Sequence, residues 1–154
     1  MDLSAIILAE NLLLEVNQMS ATALAICGLI MWSVLLSFVL VFVRTGSVLR
    51  GEKALNEFQP DGKDLADAGL RVTRAHANSL EYLALPLGIL LLALATNNTT
   101  ITNGLALTFL GCRILQSVVH MISTSAPMVM ARASLFTVQL VIMIIWAAKL
   151  SGIT

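Results

Sequence analysis

Residues 21–43 read ATALAICGLIMWSVLLSFVLVFV, a continuous apolar stretch without a charged side chain. A helix of about 20 apolar residues is long enough to cross the roughly 30 Å hydrocarbon layer of a bilayer. A helix also satisfies all of its own backbone hydrogen bonds inside that layer, which has no water to do so. We therefore predict that residues 21–43 form a first transmembrane span.

Three further apolar stretches follow it, at residues 65–96, 101–122 and 128–150. The turns NNTT at 97–100 and STSAP at 123–127 are short, so each helix should pack beside the one before it. The stretch 65–96 would be about 48 Å long as a helix, and its first, more polar half should protrude from the bilayer. Pro86 is expected to kink it. The pattern predicts an all-α, integral membrane four-helix bundle with up-and-down connections, forming a single membrane domain over residues 1–154.

The composition supports a membrane protein and argues against several other classes. The chain is 58% hydrophobic and 12% charged. Soluble domains, by contrast, have about 25% charged residues. The nine basic and nine acidic residues cancel, so no broad positive field is present and nucleic acid is not an expected partner. Cys27 and Cys112 are far apart and lie in apolar stretches, which is not the pattern of a metal-ligand cluster, and we predict no metal site.

The first loop, residues 44–64 (RTGSVLRGEKALNEFQPDGKD), is polar and basic. Transmembrane proteins concentrate lysine and arginine in cytoplasmic loops, so we expect this loop to be cytoplasmic and both termini to lie on the opposite side. Residues 1–20 form an outer N-terminal segment, in which residues 1–18 are expected to form an interfacial amphipathic helix. This segment lacks the basic start of a cleaved signal peptide, so we expect it to be retained. The basic residues on which the orientation depends are Arg44, Arg50, Lys53, Lys63, Arg71 and Arg74.

Polar side chains of the second span share one face of the helix. Arg74, Asn78 and Glu81 are spaced by four and then three residues, which aligns them at about 100° per residue. One interpretation is a structural ion pair and hydrogen-bond cluster between helices. The other is a binding pocket, because ionisable residues at membrane depth are costly and commonly mark functional sites.

The third and fourth spans carry similar polar faces. Arg113, Gln116 and His120 align on the third span. Arg132, near the start of the fourth span, aligns with Gln139 seven residues later. Arg113 either pairs with Glu81 across the bundle or contacts a ligand, while Arg132 either faces a pocket or extends toward lipid headgroups. Together the three faces predict a pocket for a small anionic polar molecule beside an apolar one.

The string RVTRAHANSLEYLALPL, residues 71–87, resembles the signature of the membrane-associated proteins in eicosanoid and glutathione metabolism (MAPEG), a family that includes the microsomal glutathione transferases and leukotriene C synthase. The shared pattern is R-A-x-x-N-x-x-E, followed by an aromatic residue and a proline. The likeness extends to TGSVLRGEKA in the first loop and to Arg113 in the third span. It covers most of residues 21–150.

The resemblance implies a homotrimer whose active sites lie between adjacent subunits near the cytoplasmic face and use glutathione as co-substrate. A guanidinium fits the two carboxylates of glutathione, and a cation near its thiol favours the thiolate. The resemblance implies that Arg132 is the catalytic residue. The implied binding residues are Arg74, Asn78, Glu81, Tyr82, Arg113, Gln116, His120 and Arg50.

The match at the thiol-activating position is not residue for residue. The family's arginine at the start of the fourth span corresponds to Val129, and Arg132 lies three residues further along. The expected function is a glutathione-dependent transferase or peroxidase that acts on lipophilic electrophiles or lipid hydroperoxides at the membrane. The alternative is a non-catalytic lipid-binding or scaffolding member of the same family. A small multidrug transporter is disfavoured, because such proteins need an acidic residue in the first span and residues 21–43 contain none.

Overall fold

The computed structural model describes residues 19–153, within which all regular structure is helical. The helices are α1 (Ala21–Leu49), α2 (Asp67–Glu81), α3 (Ala84–Ala95), α4 (Thr99–Ile122) and α5 (Ala126–Leu150). Four helical stretches are long and apolar enough to span a membrane, with α2 and α3 together making the second. The prediction of an all-helical chain with four spans is therefore confirmed. The helix predicted at residues 1–18 lies outside the described residues.

The lipid-facing surface of the bundle consists of large apolar side chains. Met31 and Phe42 on α1 and Ile144 on α5 are each about two-thirds exposed or more. A monomer in water rarely exposes wide contiguous apolar surface, whereas a bilayer accepts it. This distribution fits an integral membrane protein.

The apolar core lies toward the α3–α4 turn. Leu29 of α1 and Leu90 of α3 are almost completely buried there, together with the aromatic rings of Phe109 and Trp146. The two ring centroids are 5.5 Å apart, which packs α4 against α5. Aliphatic and aromatic side chains thus fill one half of the bundle, and the buried polar side chains between α2, α4 and α5 belong to the other half.

The beginning of α1 is attached to the beginning of α4 by hydrogen bonds. The Thr22 amide and hydroxyl donate to Oδ1 of Asn103 at 3.0 and 2.8 Å, and the Thr22 and Thr102 hydroxyls lie 2.6 Å apart. Amides in the first turn of a helix have no partner within that helix. Oδ1 of Asn103 on α4 is the acceptor for the Thr22 amide and so connects α1 to α4.

The second span is interrupted at Tyr82 and Leu83, where the sequence pattern had predicted continuous helix over 65–96. Pro86 is the physical reason, because it has no N–H to donate to the carbonyl of Tyr82, four residues earlier. The interruption positions the Tyr82 ring edge-on to Phe136 of α5, with centroids 4.9 Å apart and planes at 65°. α2 is therefore joined to α5 at this point.

The first loop is ordered against the ends of α1 and α2. Lys53 Nζ lies 3.0 Å from Oδ2 of Asp64, whose side chain is only 5% exposed. Burial by itself raises the pKa of the Asp64 carboxyl, but hydrogen bonds from Lys53 and from the backbone outweigh it and the pKa is lowered. Gly62 has φ 70°, and a Cβ there would lie within 2.9 Å of three side-chain atoms of Thr73. The loop therefore contacts α2 closely at Gly62.

Candidate functional site

A groove of about 340 Å³ opens between α2, α4 and α5. One part of its wall is polar and the other is apolar, so it suits a ligand with both characters. Its lining residues are Asn78, Tyr82, Gln116, His120, Val129, Arg132, Ala133 and Phe136.

The α5 wall of the groove follows from helical periodicity. Val129, Arg132, Ala133 and Phe136 line it, and their spacing of i, i+3, i+4, i+7 places them on one face. Within residues 19–153, Arg132 takes part in no salt bridge and no hydrogen bond. Its guanidinium is available to an anion in the groove. Val129, which occupies the position of the family's arginine, lines the same groove, so Arg132 can place a guanidinium in that groove although it lies three residues further along.

A network of buried polar side chains lies beneath the groove. Nε2 of Gln139 donates to Oε1 of Gln116 at 2.9 Å and to the carbonyl of Leu135 at 3.0 Å. Nη1 of Arg113 donates to the same Gln116 oxygen at 3.4 Å. Nε2 of Gln116 in turn donates to Oδ1 of Asn78 at 3.4 Å. The network connects α5 and α4 to the α2 residue that lines the groove.

Arg113 is 2% exposed and lies under the groove rather than in its wall. Its Nε and Nη2 atoms are buried and have no hydrogen-bond partner within the described part of the chain. The sequence had left open an ion pair between Arg113 and Glu81, but Glu81 is exposed and joins no salt bridge within the part of the chain that the structure describes. Direct ligand contact, the other interpretation, is not seen in this groove either.

Arg74 and Glu81 do not line the groove, although they share a helix face with Asn78. Both are exposed, and Arg74 lines a separate pocket of about 210 Å³ with Arg71 and Thr124. At about 100° per residue, Arg74 and Glu81 differ by only about 20°, whereas Asn78 is offset from them by about 40–60°. The offset accounts for the inward position of Asn78 and the outward position of the two charged residues.

Arg50 also lies apart from the groove. It borders a pocket of about 230 Å³ between the end of α1 and the start of α2. Its Nε and Nη2 atoms hydrogen-bond both carboxylate oxygens of Glu52 at 2.6 and 3.2 Å, and this interaction raises the pKa of Arg50. His76, also on α2, hydrogen-bonds Ser37 of α1 at 3.0 Å.

A comparison with models of protein families shows to which family the chain is related. The model of the MAPEG family matches residues 22–151, nearly the whole chain. The chain belongs to the MAPEG family. No curated protein and no solved structure shows a significant match.

Membership confirms the resemblance inferred from residues 71–87 and makes this chain a membrane protein of the glutathione-related or eicosanoid-metabolism kind. Of the residues proposed from the sequence, the groove of this MAPEG chain brings together Asn78, Tyr82, Gln116, His120 and Arg132. Arg113 is beneath it, and Arg74, Glu81 and Arg50 are outside it in the single chain.

The sequence aligned Gln139 with Arg132 on the fourth span but did not place it among the site residues, and it missed the apolar lining of this MAPEG groove. Gln139 is completely buried and takes part in the network beneath the groove. Phe136 follows the same periodicity. Neither residue belongs to the motif that carries the resemblance.

Proposed function

We propose that this protein binds glutathione in the groove between α2, α4 and α5 and joins it, through its thiol sulfur, to lipophilic electrophiles that enter from the bilayer. The observation that carries the proposal is the guanidinium of Arg132, which has no partner among residues 19–153 and lies in a groove that also offers Asn78, Tyr82 and His120 as hydrogen-bonding groups. The groove has a volume of about 340 Å³. Small-molecule sites typically have volumes of about 300–1,000 Å³, so the groove is large enough for such a ligand.

Arg132 is proposed to hold glutathione as its thiolate. A thiol with a reference pKa of about 8.5 is mostly protonated at neutral pH, and a neighbouring cation favours the nucleophilic form. With a chlorinated aromatic substrate, the thiolate forms a carbon–sulfur bond and chloride leaves, so no other reactant is required. Val129, Ala133 and Phe136 give the electrophile an apolar wall beside that sulfur.

The exposed charges of α2 support the proposal of a homotrimer. Glu81 is exposed in the middle of a membrane-spanning stretch, and Arg74 is exposed two turns earlier. An ionisable side chain that faces lipid is costly, so a neighbouring subunit is the expected partner for Glu81. In that assembly Arg74 and Glu81 would contribute to glutathione binding from across a subunit interface, as the sequence resemblance implies.

The basic first loop supports a cytoplasmic position for the groove end of the bundle. Lys53 and Lys63 lie in the loop that joins α1 to α2, and His120 lies at the end of α4 nearest to α2's beginning. We propose that glutathione enters from the cytoplasm and the electrophile enters from the membrane.

The test is conjugation of 1-chloro-2,4-dinitrobenzene with glutathione by the purified protein, comparing the wild type with Arg132→Ala and Lys149→Ala. Lys149 is an exposed cation on the same helix and controls for the loss of one positive charge. We expect turnover in the wild type and in Lys149→Ala, with a loss of at least about 100-fold in Arg132→Ala, the range for a group that stabilises transition-state charge. Glutathione binding without turnover of any electrophile would instead identify a non-catalytic member of the family.

A further inference from the structure

The orientation of the Asn78 side chain determines which ligand groups the groove accepts. An asparagine amide has a carbonyl oxygen that accepts hydrogen bonds and an NH₂ group that donates them. Which of the two faces the groove depends on the hydrogen-bond network around the amide. In this chain the network is determined by two groups, one that can only accept hydrogen bonds and one that can only donate them.

The first fixed group is the carbonyl of Leu135, which can only accept. It lies 3.0 Å from Nε2 of Gln139, so the NH₂ group of Gln139 must point toward it. The same nitrogen lies 2.9 Å from Gln116 and donates its second proton there. Gln116 must therefore present its oxygen to Gln139.

The second fixed group is the guanidinium of Arg113, which can only donate. It lies 3.4 Å from the same Gln116 oxygen, so it independently requires the same orientation of Gln116. A reversed Gln116 would face two donors with its own NH₂ group and would leave buried N–H groups without acceptors, which is costly. Gln116 is held from two sides.

The orientation of Gln116 then determines that of Asn78. Nε2 of Gln116 donates to Oδ1 of Asn78, which leaves Nδ2 of Asn78 directed to the groove and without a partner among residues 19–153. We propose that Asn78 meets the ligand of this groove as a hydrogen-bond donor only, and that Gln116, Gln139 and Arg113 are positioning residues that enforce this orientation.

A donor at this position selects a ligand oxygen that accepts. Resting on the proposed function, the inference assigns to Asn78 a carboxylate or peptide carbonyl oxygen of glutathione and excludes the ammonium group. Arg113 is buried and does not touch the ligand, but it influences which ligand group binds because it fixes the orientation of Gln116 and so that of Asn78.

The test measures hydrogen exchange of the side-chain amide protons by NMR, using protein labelled with ¹⁵N in asparagine and glutamine. Signals are assigned by their loss in Asn78→Asp and Gln116→Met. In the ligand-free wild type we expect the Asn78 NH₂ protons to exchange at least about tenfold faster than those of Gln116 and Gln139, because the latter are hydrogen-bonded. Equal protection of all three amides would overturn the inference.

Burial alone also protects Gln116, so the decisive variant is Gln116→Glu. A carboxylate still accepts from Arg113 and Gln139 but cannot donate to Asn78, which should therefore turn its NH₂ group inward. We expect the Asn78 protons to become at least about tenfold more protected in this variant. An unchanged Asn78 exchange rate would overturn the inference. Thr22→Val, which removes buried hydrogen bonds at the other end of the bundle, is the matched control and should leave Asn78 exchange unchanged.

Adding glutathione separates this inference from the proposed function. Binding to the wild type should slow exchange of the Asn78 protons. Binding that leaves them unchanged would overturn the inference. If glutathione does not bind at all, the proposed function fails, and the Gln116→Glu variant still decides whether Asn78 is held as a donor.

Discussion

Replacing Arg113 with methionine should stabilise the protein. An arginine near the centre of a membrane helix costs roughly 2.5–3.5 kcal/mol on insertion scales. The Arg113 side chain is 2% exposed and, among the residues that the structure describes, has one hydrogen bond, at 3.4 Å, while Nε and Nη2 have none. A charged hydrogen bond contributes about 1.5 kcal/mol at the low end of its range, which suits this long distance. Methionine fills a similar volume, so the net gain is about 1–2 kcal/mol.

Thermal unfolding in detergent, followed by tryptophan fluorescence, measures this gain. For a chain of this size about 2–4 °C in Tm corresponds to each kcal/mol, so Arg113→Met should raise Tm by about 2–8 °C. Arg71→Met is the control, because Arg71 is half-buried and donates to the Met121 carbonyl at 2.9 Å; it should lower Tm. If Arg113→Met lowered Tm as much as the control, Arg113 would have an anionic partner contributed by another subunit, and our account of an unpaired cation would be refuted.

Three further outcomes test the fold of the loop and of the core. Gly62→Ala should lower stability by about 1–2 kcal/mol, because the left-handed backbone conformation disfavours alanine. Gly62 has φ 70°, and an added Cβ would also collide with Thr73; equal melting with the wild type would show that the loop is not held there. The pKa of Asp64 is lowered, so its ion pair with Lys53 should contribute above about pH 4, the pKa of an unfolded aspartate, and be lost as the pH falls below it. Lys53→Met should therefore speed amide exchange in the loop at pH 7, and this effect should shrink as the pH is lowered below about 4; an effect that does not change with pH would contradict the ion pair. Phe109 is completely buried. Phe109→Ala should therefore destabilise by about 3–5 kcal/mol through a cavity in the core, and a loss below about 1 kcal/mol would contradict the packing.

The transmembrane spans could be predicted because hydropathy and length depend on composition alone. Residues 21–43 have no charge and must span or be buried, whatever they pack against. The break at Tyr82 was harder to locate, because a proline removes a hydrogen bond four residues before itself and the helix can respond by bending or by interruption.

The composition of the groove was only partly predictable. Spacing gives the angles between residues on one helix but not the direction in which the helix faces, so Arg74, Asn78 and Glu81 could not be separated into outward and inward groups. The role of Gln139 depends on contacts with Gln116 and with a backbone carbonyl, which are set by packing between α4 and α5. Such contacts leave no local signal in the sequence.

Calorimetric titration of the wild type and Ala133→Trp with glutathione decides whether the groove binds this ligand. Ala133 is an exposed residue in the groove wall, so a tryptophan there should occupy the groove without removing any polar group or disturbing the core. We expect saturable binding to the wild type and none to Ala133→Trp when both proteins melt at similar temperatures. Absence of binding to the wild type, or equal binding to both proteins, would contradict it.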